Sequence, residues 1–147
     1  MIAMELGVPF VLLRKEGKNA GVLIASEPYE KEYKEKGSEA MSIRQGSIGK
    51  GSRVVFVDDV LASGGTALSG LQLVEACGAT ALEFVAILGI SLLKGAQLSH
   101  SYGNGRFSKV PFFTLVDESV LTDSNCGDVV GYDGPRIISY REALSKL

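Results

Sequence analysis

Only one histidine and two cysteines occur among the 147 residues, so the side chains that most often build transition-metal centres are nearly missing. A tetrahedral zinc site takes about four ligands. Cys77 and Cys126 lie far apart and form no CxxC pair, which leaves them as plain reduced thiols. His100, inside the polar stretch Ser99-His100-Ser101, reads as a surface residue without a special task. A surplus of positive charge is also missing. The net charge is −2, and lysines alternate with glutamates in Tyr29-Glu30-Lys31-Glu32-Tyr33-Lys34-Glu35-Lys36. Nucleic-acid binders show a clustered basic face, so no nucleic-acid partner is expected. Long apolar runs are absent too. Residues 9–13 and 81–90 are too short or too broken for a span of about 20 residues, so no membrane partner is expected. Met1 leads into Ile-Ala-Met-Glu-Leu-Gly without a basic n-region, so no secretory signal is expected.

What is present suits one globular domain: 46% hydrophobic and 22% charged residues supply a core and a solvated surface. Residues 1–6 read as the end of an amphipathic helix stopped by Gly7. Residues 8–13 are a continuous apolar run, as in a strand buried on both faces of a parallel sheet. A polar loop, 14–18, follows. Residues 21–26 and 41–44 read as short strands, with the charged 29–36 segment between them as a long, mobile β-arm. Residues 53–57 are the clearest strand, and 66–77 a helix with apolar positions at Leu68, Leu71, Val74 and Ala76, capped by Gly78. A strand at 81–88, a short helix at 92–98 and a strand at 110–116 complete an α/β alternation with a parallel sheet. Periodicity fades from Asp117. Beyond it, Asp133-Gly134-Pro135 reads as a turn, 136–139 as an edge strand and 141–147 as a helix or tail.

The chemistry concentrates in Val54-Val55-Phe56-Val57-Asp58-Asp59-Val60-Leu61-Ala62-Ser63-Gly64-Gly65-Thr66. Ligands of open α/β sheets bind beyond the carboxyl ends of the strands, which is where the two acids fall. Neighbouring carboxylates repel, and on an extended segment they point to opposite sides, so Asp58 and Asp59 bracket a ligand. Ribose hydroxyls or a Mg²⁺ ion would suit them. Ala62, Ser63, Gly64, Gly65 and Thr66 then form a small-residue turn at a helix start, where backbone amides favour an anion. The Ser63 and Thr66 hydroxyls add donors. A monophosphate fits better than a triphosphate, because no lysine follows the glycines.

This segment resembles the PRPP-binding signature of the type I phosphoribosyltransferases: an apolar strand, two acids and a short A-[ST]-G-G-T loop. The resemblance implies that the acids hold the ribose hydroxyls and the loop the 5-phosphate. Pro9-Phe10-Val11-Leu12-Leu13-Arg14-Lys15 with Gly17-Lys18 is similar to the basic strand end of the adenine phosphoribosyltransferases, where Arg14, Lys15 and Lys18 would serve pyrophosphate. Tyr29-Glu30-Lys31-Glu32-Tyr33 resembles that family's mobile catalytic loop, and Lys109-Val110-Pro111-Phe112-Phe113-Thr114-Leu115 its last core strand. Residues 1–116 would form the core. Residues 117–147, through Asn125-Cys126-Gly127 and Gly134-Pro135, resemble the C-terminal extension of the kinetoplastid enzymes.

The implied reaction is adenine plus PRPP giving AMP and pyrophosphate, in an α/β core of mostly parallel, twisted sheet flanked by helices. Asp58 and Asp59 would stabilise the oxocarbenium-like ribose, Glu32 would act as acid or base near adenine with Tyr33 beside it, and Mg²⁺ would accompany pyrophosphate. A homodimer is also implied. The family's N-terminal hood and first core strand are not matched by any residue here, so weak nucleotide binding and poor turnover are expected of the isolated chain. Ser145-Lys146-Leu147 is a peroxisomal address when free at a C-terminus. It points to an import receptor and a glycosome, with a cytoplasmic location as the alternative. A PRPP-sensing regulator would use the same pocket without catalysis, but no basic patch accompanies it. A receiver-like domain would have no use for Gly64-Gly65-Thr66.

Overall fold

The computed structural model describes residues 2–15, 17–30 and 38–120. The long parallel strands form as their composition dictates: β-branched and aromatic residues suit a pleated, half-buried surface. In chain order the elements are α1 (Ile2–Glu5), β1 (Arg14–Lys15), β2 (Leu23–Ala25), β3 (Tyr29–Glu30), β4 (Ser38–Glu39) and β5 (Met41–Arg44). They continue with β6 (Arg53–Leu61), α2 (Gly65–Ala76), β7 (Thr80–Gly89), a 3₁₀ turn at Ser91–Leu93, α3 (Gly95–Gly105), β8 (Phe112–Asp117) and a 3₁₀ turn at Glu118–Val120. Strands β6, β7 and β8 make a parallel sheet in that order, with Asp58 opposite Ala86 and Ala86 opposite Thr114. A smaller antiparallel sheet runs β1-β5-β2, and β3 pairs with β4 as a separate ribbon.

Helix α2 joins the two sheets. Its Ala67 lies in a core with Leu61, Phe84 and Ala86, against which Phe56, Phe112 and Ala96 of α3 pack. Farther along, Leu73 meets Met41 and Ile43 of β5 in a second core. The rings of Phe56, Phe84 and Phe112 stack in sequence, at centroid distances of 5.9 and 5.3 Å. Gly70 makes room for this stack, since a Cβ there would meet Phe56 Cε1 at 2.6 Å. The opposite face of the parallel sheet is apolar and open: Val55, Val57, Ile87, Phe113 and Leu115 are each 50–68% exposed. Among the described residues, β6 is also paired on one side only.

Four expectations change here. Residues 8–13 are not a buried strand. They have no ladder partner among the described residues, and Val8, Phe10 and Leu12 are exposed while Val11 and Leu13 pack against the second core. The expected polar loop instead begins as β1, because Arg14 and Lys15 pair with Ser42 and Met41. The helix after β7 also starts later and runs longer than 92–98. Gly95–Gly105 is broken at Tyr102, Gly103 and Asn104, whose backbone leaves helical geometry. His100 is likewise no idle surface group. Its Nε2 lies 2.7 Å from the Val110 carbonyl oxygen, and its ring meets Phe112 edge-on at 5.1 Å. Cys126, the turn at 133–135, the edge strand at 136–139 and the helix or tail at 141–147 lie outside the described residues.

Candidate active site

Strand β6 does not end before the acids. It runs through Asp58 and Asp59 to Leu61, held by β7 and by the Ile90 amide donating to the Leu61 carbonyl at 2.9 Å. The two carboxylates therefore alternate across the strand, as expected from its pleat. Asp58 shares its side with Phe56 and is half-buried; Asp59 is exposed with Val57. The Asp59 amide donates to Asp58 Oδ1 at 3.0 Å. Burial pushes the Asp58 carboxyl above the ordinary aspartate range, the Asp59 amide pulls it back, and the Asp59 carboxylate beside it pushes it up again.

Ala62, Ser63 and Gly64 form the bend between β6 and α2. Gly64 takes the N-cap position with φ 84° and ψ 4°, a left-handed conformation that costs glycine nothing. No side chain caps the helix there. The first intrahelical bond runs from the Leu68 amide to the Gly64 carbonyl at 2.8 Å, so the amides of Gly65, Thr66 and Ala67 have no partner within the helix. Three amides without a partner among the described residues, at the positive end of a twelve-residue helix, can cradle an anion.

The cradle rests on α3, which the sequence alone does not reveal. A Cβ on Gly64 would lie 2.5 Å from the Gly95 carbonyl oxygen and 2.9 Å from Ser99 Oγ. A Cβ on Gly95 would collide with the Ala62 carbonyl oxygen. Ser99, 1% exposed, directs its hydroxyl at the Gly64 carbonyl at 3.5 Å. Lys94, just before Gly95, sits in the left-handed region with φ 53°. Gly95 and Ser99 carry no local motif. Only the tertiary approach of α3 marks them.

The basic residues stand apart from this cradle, on the antiparallel sheet. Arg14 and Lys15 form β1, and Lys18 closes the turn through its amide to the Lys15 carbonyl at 3.1 Å. Arg14 Nη1 donates to the Lys18 carbonyl at 3.4 Å. Glu32 and Tyr33 lie outside the described residues. The ribbon that leads to them starts from a well-tied base. The Ser26 and Met41 backbones pair at 2.8 Å, and the Met41 amide also donates to Ser26 Oγ at 3.0 Å. Glu27 is bound by Gln72 of α2 through its amide at 3.0 Å and its carboxylate at 3.3 Å, and by the Tyr102 hydroxyl. Among the described residues no group of three or more His, Cys, Asp or Glu side chains could hold a metal ion alone.

Comparison with known proteins adds the context of this geometry. Residues 1–110 match the model of the phosphoribosyl transferase domain. The chain is 37% identical over 119 residues to an adenine phosphoribosyltransferase of Acidovorax sp. (strain JS42), covering 81% of this chain and 59% of that protein. It superposes on the adenine phosphoribosyl transferase of Trypanosoma brucei, solved with AMP, pyrophosphate and ribose-5-phosphate, with a TM-score of 0.88 at 57% identity. The Leishmania donovani enzyme gives a TM-score of 0.88 at 58% identity. Both superpositions cover 99% of this chain and 62% of the other, so the chain spans less than two thirds of these relatives.

Proposed function

Because this chain belongs to the phosphoribosyl transferase family, we propose that it carries the PRPP- and nucleotide-binding part of an adenine phosphoribosyltransferase, which converts adenine and PRPP to AMP and pyrophosphate. One observation carries the reading. Two carboxylates near the end of β6 lie directly before a helix start whose first amides have no partner within the helix, the order in which a ribose 5-phosphate would be held. The Trypanosoma brucei relative, solved with AMP, pyrophosphate and ribose-5-phosphate, supports the same assignment.

In this reading the amides of Gly65, Thr66 and Ala67, with the Ser63 and Thr66 hydroxyls, take the 5-phosphate. Asp58 and Asp59 accept from the ribose hydroxyls, which fixes the sugar and stabilises positive charge as the bond to pyrophosphate breaks. Arg14, Lys15 and Lys18 take up pyrophosphate. Glu32, next to Tyr33, acts as the acid or base toward adenine. Two adjacent carboxylates, with no third ligand among the described residues, fit Mg²⁺, which is commonly bound by one or two carboxylates and completed by phosphate oxygens and water. Asp58 and Asp59 would hold it, and it would neutralise charge on departing pyrophosphate. Preference for adenine over other purines rests on the relatives' names.

Homodimerisation belongs to the same proposal. So does delivery to a glycosome by an import receptor reading Ser145-Lys146-Leu147, residues outside those described, with a cytoplasmic location as the alternative. A reporter carrying residues 141–147 that stays cytosolic in a kinetoplastid cell would remove the targeting claim. The binding claim is tested by calorimetric titration of AMP, with GMP and IMP as controls, into the purified chain. Selective AMP binding supports the nucleotide site. Equal affinity for all three would leave a general 5-phosphate cradle and withdraw the adenine assignment.

A further inference from the structure

The basic turn is held from behind by two side chains that play no part in the reading above. Ser42 is fully buried, and it is the register partner of Arg14 in the β1–β5 pair. Asn19 Nδ2 donates to the Ser42 carbonyl oxygen at 3.0 Å and to Ser42 Oγ at 3.2 Å. The Ser42 hydroxyl in turn donates to the Arg14 carbonyl at 3.4 Å. The turn thus leaves β5 after Lys15, closes on itself between Lys15 and Lys18, and is stitched back to β5 at Asn19. A buried hydroxyl needs such partners, and here they lie at the two ends of the basic turn.

A two-residue strand gives little ladder of its own, so without the stitch the turn would sample many shapes. Its cations would then meet an anion only after being ordered by it. With the stitch, Arg14 and Lys18 are presented in one arrangement before the ligand arrives. We propose that Asn19 and Ser42 are positioning residues for pyrophosphate: they pre-form the 14–18 turn without touching the ligand. The inference rests on the reading that this turn binds pyrophosphate.

The test is calorimetric titration of sodium pyrophosphate, and separately of AMP, into the parent chain and into Asn19→Ala, Ser42→Ala and Lys18→Ala. AMP serves as control because its phosphate belongs to the cradle at Gly65 rather than to the turn. Asn19→Ala should weaken pyrophosphate by about tenfold, the scale of a lost hydrogen-bonded anchor, while AMP affinity stays within about twofold. Ser42→Ala should move in the same direction with a lower Tm; Asn19, which is only half-buried, keeps the test valid if Ser42→Ala fails to fold. If Lys18→Ala loses pyrophosphate but Asn19→Ala does not, the positioning role is overturned and the pyrophosphate reading stands. Equal loss of both ligands in Asn19→Ala overturns it as well, since the residue would then serve the fold at large. If the parent binds no pyrophosphate, or Lys18→Ala binds it as the parent does, the underlying reading falls and the inference falls with it.

Discussion

Gly64 and Gly95 meet backbone to backbone: a Cβ on Gly64 would stand 2.5 Å from the Gly95 carbonyl oxygen. The anion cradle is therefore braced by the start of α3 as well as shaped by its own turn. Gly64 also has φ 84°, which a larger residue adopts only under strain. Gly64→Ala should combine both penalties, a loss of about 2–4 kcal/mol, and should remove AMP binding. Thermal unfolding and an AMP titration check it. An alanine variant with unchanged Tm and affinity would show that α3 can retreat at no cost.

Phe84 sits between Phe56 and Phe112 with 2% of its surface exposed. Its ring also belongs to the core that includes Ala67, in the first turn of the cradle helix. Phe84→Ala should cost about 3–5 kcal/mol, as buried aromatic deletions do. Urea unfolding reads the loss directly. Phe84→Leu should recover part of it, since the site needs apolar volume more than a hydrogen bond.

The parallel core and its binding segment were legible because their signals are local. Four apolar residues, two acids and a small-residue turn declare a strand and a helix start within 54–66, although the strand runs on through the acids to Leu61 instead of ending at Val57. The expected helix 66–77 and the observed Gly65–Ala76 differ by one residue at each end. Residues 8–13 misled because an apolar run states only that burial is favourable. Whether a strand forms depends on a neighbour to pair with, and none is present among the described residues. Gly95, Ser99, Asn19 and Ser42 were invisible for a related reason. Each acts across a gap in sequence, 31 residues from Gly64 to Gly95 and 23 from Asn19 to Ser42, and no spacing rule connects them.

Tyr102 reaches Glu27 from the break in α3, and its hydroxyl donates to the Glu27 carboxylate. That bond, then desolvation and the carboxylate's charge, raise the tyrosine above its ordinary pKa of 10.0; Gln72 and Arg106 act in the other direction. Glu27→Gln should therefore bring the Tyr102 titration down. Ring-proton NMR of the five tyrosines resolves it. An unmoved Tyr102 would mean that the ribbon base is held without this contact.

Asp58 gives the last prediction, and its sign follows from its environment. Burial raises the folded carboxyl above its ordinary value of 3.8, so between the two values the folded chain holds a proton that the unfolded chain has released. The resulting stability is fully present below the unfolded pKa and is lost as pH rises through the folded one. Above the folded value, Asp58 is thus an ionised group that the fold would rather keep neutral. Asp58→Asn should raise the Tm at pH 7, with a gain that shrinks as pH falls toward the unfolded pKa, and it should weaken AMP binding by removing a ribose acceptor. Asp59→Asn should also weaken AMP binding, and by removing a carboxylate that pushes Asp58 up it should reduce this pH dependence without abolishing it, because burial is the larger cause. Thermal melts from pH 3 to pH 7, paired with AMP titrations, separate the two acids. If Asp58→Asn melts at a lower temperature than the parent at pH 7, burial is not what governs this carboxyl, and a partner for its charge must be sought.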